Sequence, residues 1–94
     1  MKHCIIAKFN NSVDDKPAMI ERIEELFASA AAVDGIHGHT VLRNCIDREN
    51  RYDLAIVIDM DKAALPAWDA SDLHREWKNT FGPYLASKAI FDFE

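Results

Sequence analysis

The chain is poor in the residues that punctuate or staple a fold: three glycines, three prolines and two cysteines among 94 residues. So little glycine and proline excludes collagen-like and linker-like architectures. Two cysteines cannot build the disulfide framework of a small secreted module, and reduced thiols in a cytoplasmic protein are the expectation. Positive charge is scarce as well, with 11 Lys and Arg against 16 Asp and Glu and a net charge of −5. The cations are scattered rather than clustered, so no nucleic acid and no anionic membrane is expected as a partner. Apolar runs such as "FASAAAV" fall far short of the ~20 residues that span a bilayer. The opening "MKHCIIAKF" lacks the long apolar core and small-residue cleavage site of a secretory signal. Gly-rich phosphate loops, zinc-spaced Cys/His clusters and nucleophile elbows are all missing, so no metal and no cofactor is expected.

What is present reads as one globular domain over residues 1–94, 49% hydrophobic and 29% charged. A chain this short buries little more than ~60% of its unfolded surface, which makes pairing with a second copy favourable.

"KHCIIAKFN" alternates, with His3, Ile5, Ala7 and Phe9 on one face and Cys4, Ile6, Lys8 and Asn10 on the other, as in a strand. "KPAMIERIEELFASAAAV" follows as a helix. Pro17 suits its first turn and Ile20, Ile23, Phe27 and Ala30 recur at helical spacing. It stops at "DG", where Gly35 can take the left-handed conformation. "IHGHTVLRNCI" reads as a second strand interrupted by Gly38, and "DRENR" as a charged loop. "YDLAIVIDM" is the clearest strand. Its apolar row Tyr52, Leu54, Ile56, Ile58 and Met60 opposes Asp53, Ala55, Val57 and Asp59.

Asp61 or Asp59 can cap a short helix, "DKAALPAW", which Pro66 limits. Ser71 or Asp72 can cap the next, "LHREWKNTFGPYLA", with Leu73, Trp77, Phe81 and Leu85 as its buried stripe. "KAIFDFE" closes the series as a strand with Ala89, Phe91 and Phe93 on one side.

The order β-α-β-β-α-β predicts an α+β, ferredoxin-like fold: helices on one face of a four-stranded antiparallel sheet, with the first and third strands central. That topology separates Cys4 from Cys45 by a strand and argues against a disulfide between them. The uncovered face would carry Cys4, Ile6, Ala55, Val57 and Ile90 among Lys8, Asp53, Asp59 and Asp92. Two such faces packed together would hide the apolar part and leave ion pairs around it, so a homodimer is expected.

"KHCIIAKF", "YDLAIVIDM", "LHREW" and "FDFE" together resemble the stress-responsive dimeric α+β barrel (Dabb) domains. The resemblance runs the whole length and implies two sheets pairing face to face into a barrel. The family includes a plant polyketide cyclase, and its members often begin the second helical segment with an aromatic residue followed by His-Pro-x-His. On "WDASDLH" that pattern puts Trp68 at the aromatic position, Ser71 and Asp72 at His-Pro, and His74 at the final histidine. The early lysine–histidine pair falls on Lys2 and His3. The cyclase has a tyrosine where Trp68 stands. An indole N–H can orient a carbonyl but cannot exchange a proton, which sets the cyclase reaction itself apart.

These positions define a candidate site. His74 and His3 would be its catalytic residues. Ile5, Phe27, Ile56, Trp68, Trp77 and Phe81 would wall an apolar ligand pocket between helices and sheet. A histidine in such a pocket stays mostly neutral near pH 7, as a general base for removing a proton beside a carbonyl must. His74 equally suits a packing role, with the aromatics filling the core. His37 and His39 share a predicted strand face, but no acid or cysteine joins them within "GIHGHT", and exposed histidines are the simpler account.

Three readings follow. One is a homodimeric domain binding a small apolar or aromatic molecule. A second is a cofactor-free enzyme, cyclase-, isomerase- or monooxygenase-like, with His74 as base. The third is a bare interaction protein with a filled core.

Overall fold

The alternation at the start becomes strand β1, Lys2–Phe9, in a computed structural model that describes residues 1–94. Helix α1 follows over Lys16–Phe27, then β2 over Ile36–Arg43 and β3 over Leu54–Met60. Two short helices, α2 (Leu65–Asp69) and α3 (Asp72–Glu76), precede β4 (Leu85–Phe93). The four strands are antiparallel in the order β2-β3-β1-β4, which puts β1 and β3 in the centre as the element order required.

The Asp15 side chain starts α1 by accepting from the Ala18 N–H at 3.0 Å, with Pro17 in the first turn where no donor is needed. Met19, Ile20, Ile23 and Phe27 form its buried stripe. The helix ends at Phe27, six residues short of the "AAAV" that the periodicity included, and Ala30–Ala32 tighten into a 3₁₀ turn. Ser29 lies at this break, where its hydroxyl donates to the Leu26 carbonyl at 3.1 Å and competes with the helical ladder. Gly35 then takes φ 83°, as "DG" suggested. A Cβ there would sit 2.5 Å from Ala64 Cβ, so the two chain segments touch backbone to side chain.

The β3 row Leu54, Ile56, Ile58 and Met60 is buried throughout, while Tyr52 lies before the strand and is exposed. β2 carries a bulge between Ile36 and Gly38. The extra residue is His37, which leaves the ladder and pairs with Asp61 at 2.8 Å. The strand stops at Arg43, so Cys45 lies exposed in a loop and not in a strand as expected; both thiols are free.

The last helical segment departs most from its periodicity. After α3, Trp77–Phe81 form a π-turn and Gly82–Tyr84 a 3₁₀ turn, because Pro83 supplies no N–H for a continuing ladder. Leu73, Trp77 and Phe81 are buried as the stripe requires, but Leu85 opens β4 instead of completing it.

β4 also presents the faces opposite to those expected. Ile90 pairs with Ile5 and Asp92 with His3, so both lie on the helix side of the sheet. Phe91 pairs with Cys4 and Phe93 with Lys2, on the open side. The strand's own alternation, Ala89, Phe91 and Phe93 against Lys88, Ile90 and Asp92, does not mark a buried side because this edge strand is exposed on both; the register with β1 decides which way each faces. The open face therefore holds Cys4, Ile6, Leu42, Ala55, Val57, Phe91 and Phe93, a more apolar surface than the sequence implied. The helices do not reach over β4, and even Ile90 on their side is 48% exposed.

Candidate functional site

The corner between α2 and α3 is fixed by one hydroxyl. Ser71 caps α3, its Oγ accepting from the His74 N–H at 3.1 Å and donating to the Trp68 carbonyl at 2.7 Å. His74 Nδ1 lies 3.0 Å from the Asp69 carbonyl oxygen. A carbonyl only accepts, so Nδ1 carries the proton and the neutral ring keeps its lone pair on Nε2. The His74 ring stands edge-on to the Trp68 indole, with centroids 5.0 Å apart and planes at 60°.

Trp68 meets the second histidine as well, its centroid 6.2 Å from that of His3. His3 is the buried polar residue of the core, 6% exposed, and its Nδ1 bonds the Asp92 carboxylate. His3, Trp68 and His74 thus form one line of contact, with tryptophan as the link. Asp92 is the member that sequence reasoning missed, because β4 was assigned the opposite faces; the histidine directly across the ladder was the available signal.

Ile5, Phe27, Ile56, Trp68, Trp77 and Phe81 are all sealed from solvent, and none of them lines the hollow beside His74. Their aromatic rings are in direct contact: Phe27 lies 5.9 Å from Trp68 and 5.5 Å from Trp77, which lies 5.9 Å from Phe81. In the single chain they are part of the main core cluster. His74 faces outward from it, onto a hollow of about 170 Å³ shared with Asp69, Ser71, Arg75, Lys78 and Asn79, with no apolar side chain in its lining. Lys78 and Asn79 lie one helical turn beyond His74 and Arg75, a spacing legible only once the helix was in place.

No group of three or more His, Cys, Asp or Glu side chains is arranged to hold a metal. His37 is committed to Asp61, whose hydrogen bond and charge raise the imidazole pKa above its ordinary value. Asp59 is held below the usual carboxylate range by its bond to Lys2, 3.0 Å away. Burial, with the Asp92 charge behind it, pushes the Cys4 thiol up.

Residues 1–94 match the model of the stress responsive A/B barrel domain over their whole length. The chain belongs to the Dabb family. Solved structures agree with this Dabb domain in fold. A dimeric ferredoxin-like protein of unknown function from Thermobifida fusca superposes with a TM-score of 0.82 at 21% identity, covering 98% of this chain and 87% of its own. A dimeric protein of unknown function and ferredoxin-like fold from Bacteroides fragilis gives 0.81 at 18% identity, covering 99% and 93%. The hydroxynitrile lyase from Passiflora edulis gives 0.75 at 12% identity, covering 98% and 89%. No curated protein sequence matches the chain. No helix of the Dabb domain is long and apolar enough to cross a membrane.

Proposed function

We propose that this Dabb domain works in the cytoplasm as a homodimer, paired through its open sheet face, and that each protomer binds a small molecule with an apolar or aromatic body beside Trp68 and His74. The exposed aromatic pair of β4 carries the first part. Phe91 and Phe93 are 63% and 40% exposed and stack on each other at 5.9 Å. They share their face with Leu42, 52% exposed, and with the Lys2–Asp59 ion pair at 3.0 Å. An isologous contact brings the same apolar centre and charged border together twice, which suits a face of this composition. The dimeric neighbours of the same fold support the reading. Sedimentation velocity should give a dimer for the wild type and a monomer for Phe91→Asp. A wild-type monomer at about 100 μM, well above the dissociation constants of stable dimers, would sink the proposal.

For the ligand, His74 offers an acceptor, Nε2, while the Trp68 indole in edge contact with it is sealed from solvent and would meet an aromatic body only if binding opened this corner. Tryptophan fluorescence titrated with aromatic ketones and phenols tests this. A saturable change that His74→Ala weakens supports the site, and no change with any of them counts against it.

The second reading, proton transfer, rests on the His74 tautomer. With Nδ1–H held by Asp69, Nε2 is left as the basic nitrogen of a ring that lines the hollow, and abstraction of a proton beside a carbonyl needs such a nitrogen. A lyase of the same fold shows that the architecture accommodates catalysis. An enzyme should lose roughly 10²-fold or more in turnover on His74→Ala while its melting temperature holds. A packing histidine would lose melting temperature instead. Gain of cyclase activity in Trp68→Tyr would extend the reading, and no activity toward any ketone substrate in either protein would end it.

A further inference from the structure

At the end of the sheet away from His3, the loop Asn44–Asp53 arches over the start of α1 and encloses two adjoining cavities. One, of about 440 Å³, has an apolar floor of Pro17, Ile20 and Ile46 with Lys16 and Arg43 on its walls. The other, of about 410 Å³, is lined mainly by polar and charged residues, Lys8, Arg48 and Arg51 among them, with Phe9 and Val13. They share Lys16, Asn44, Asp47 and Asp53, so they lie side by side with the Lys16–Asp53 pair between them. Each has the volume of a small-molecule site.

The charge here runs against the rest of the molecule. Five of the 11 cations of the chain line these two cavities, against three carboxylates of the lining (Asp47, Glu49 and Asp53) and Glu24 bonded to Arg43, a local balance of +1 in a protein of −5. Two of the five are neutralised: Lys16 by Asp53 at 3.0 Å and Arg43 by Glu24 at 2.7 Å. The other three make no ion pair, although Asp47 and Glu49 line the same cavity. Lys8 donates to the Glu49 carbonyl and Arg51 to the Asn50 amide oxygen at 2.7 Å, so both are steered by neutral acceptors with donors to spare. A concave wall with an excess of one sign concentrates small ions of the other.

We infer that this pair of cavities binds an amphipathic oxyanion, with its carboxylate or phosphate head among Lys8, Arg48 and Arg51 and its apolar body over Pro17, Ile20 and Ile46. The site is remote from the His74 corner and stands whether or not that corner binds anything. Guanidinium groups suit either head, since both offer the paired oxygens that a planar fork of N–H donors matches.

Amide chemical shifts of the ¹⁵N-labelled full chain, titrated with octanoate, phenyl phosphate and 1-octanol, test it. The expected result is saturable shifts over residues 44–53 and the first turn of α1 with one or both anions. The stronger anion then identifies the head group. Octanol should bind at least roughly fivefold more weakly, the share that exposed charge pairing contributes. The double variant Arg48→Glu, Arg51→Glu, both in an exposed loop outside the core, should lose anion binding by a similar factor or more, with unchanged shifts in β1 and β3. Raising salt should weaken the wild-type affinity. Saturable shifts confined to the His74 corner would overturn the assignment, as would equal affinity for octanol or no saturation by about 10 mM of either anion.

Discussion

Replacing Gly35 by alanine tests how the helix pair that carries Trp68 and His74 is seated on the sheet. Two costs arise at once. Gly35 holds φ at 83°, where an L side chain crowds its own carbonyl at roughly 1–2 kcal/mol. The new Cβ would also stand 2.5 Å from Ala64 Cβ, a distance that cannot persist, and overpacking of this kind costs roughly 1–3 kcal/mol. Neither neighbour is free to move. The Gly35 carbonyl accepts from the Asp61 N–H at 2.8 Å, and Ala64 is buried one residue before α2. Together the two terms come to about 2–5 kcal/mol, which in a domain of this size lowers the melting temperature by roughly 10–30 °C. Calorimetry at one fixed protein concentration measures it, so that any association contributes equally to both proteins. Adding Ala64→Gly to the variant should restore the part due to the collision but not the part due to φ. The two substitutions should therefore couple by roughly 1–3 kcal/mol in a double-mutant cycle. A melting temperature within roughly 3 °C of wild type, or simple additivity of the pair, would refute the reasoning.

Two further outcomes follow from the titrating groups. The His37–Asp61 bond raises the folded-state pKa of the imidazole, so its stabilisation is fully present below the unfolded value of 6.5 and fades as pH rises through the folded one. An NMR titration should find the His37 midpoint of Asp61→Asn lower than wild type, and an unchanged midpoint would mean that the pair does not form in solution. Cys45 is exposed, whereas Cys4 is buried and its thiol is pushed up. Intact-mass analysis during maleimide treatment should show one fast adduct on Cys45 and a second only on unfolding; equal rates would contradict the placement of Cys4.

The sheet and its order were legible because β1 and β3 are central strands whose alternation is set by burial. One face of each holds residues such as Ile5, Ala7, Ile56 and Ile58 that water cannot reach. Edges were harder. β2 hides a bulge at His37 that only pairing reveals, and β4 is exposed on both faces, so its apolar alternation marks no buried side and its register with β1 had to decide which residues look outward. The helical segments were located by period, but their ends depend on local competitors such as Ser29 and Pro83. At the candidate site the family pattern singled out Trp68 and His74, which do meet. Whether an aromatic cluster fills space or surrounds it is a matter of volume, which a one-dimensional pattern does not contain. The loop cavities were not visible either. Their cations are scattered over 43 positions of sequence, from Lys8 to Arg51, and gather only when β1, α1 and the loop converge.

β4 is the strand that the rest of the fold does not cover, and it is also the strand made last. β1, α1, β2 and β3 precede it along the chain, so the three strands that share the buried core leave the ribosome ahead of β4. Phe91 and Phe93, the largest side chains on the open face, are absent during that interval. A nascent chain therefore presents the rest of its sheet before the stickiest part of its open surface has emerged.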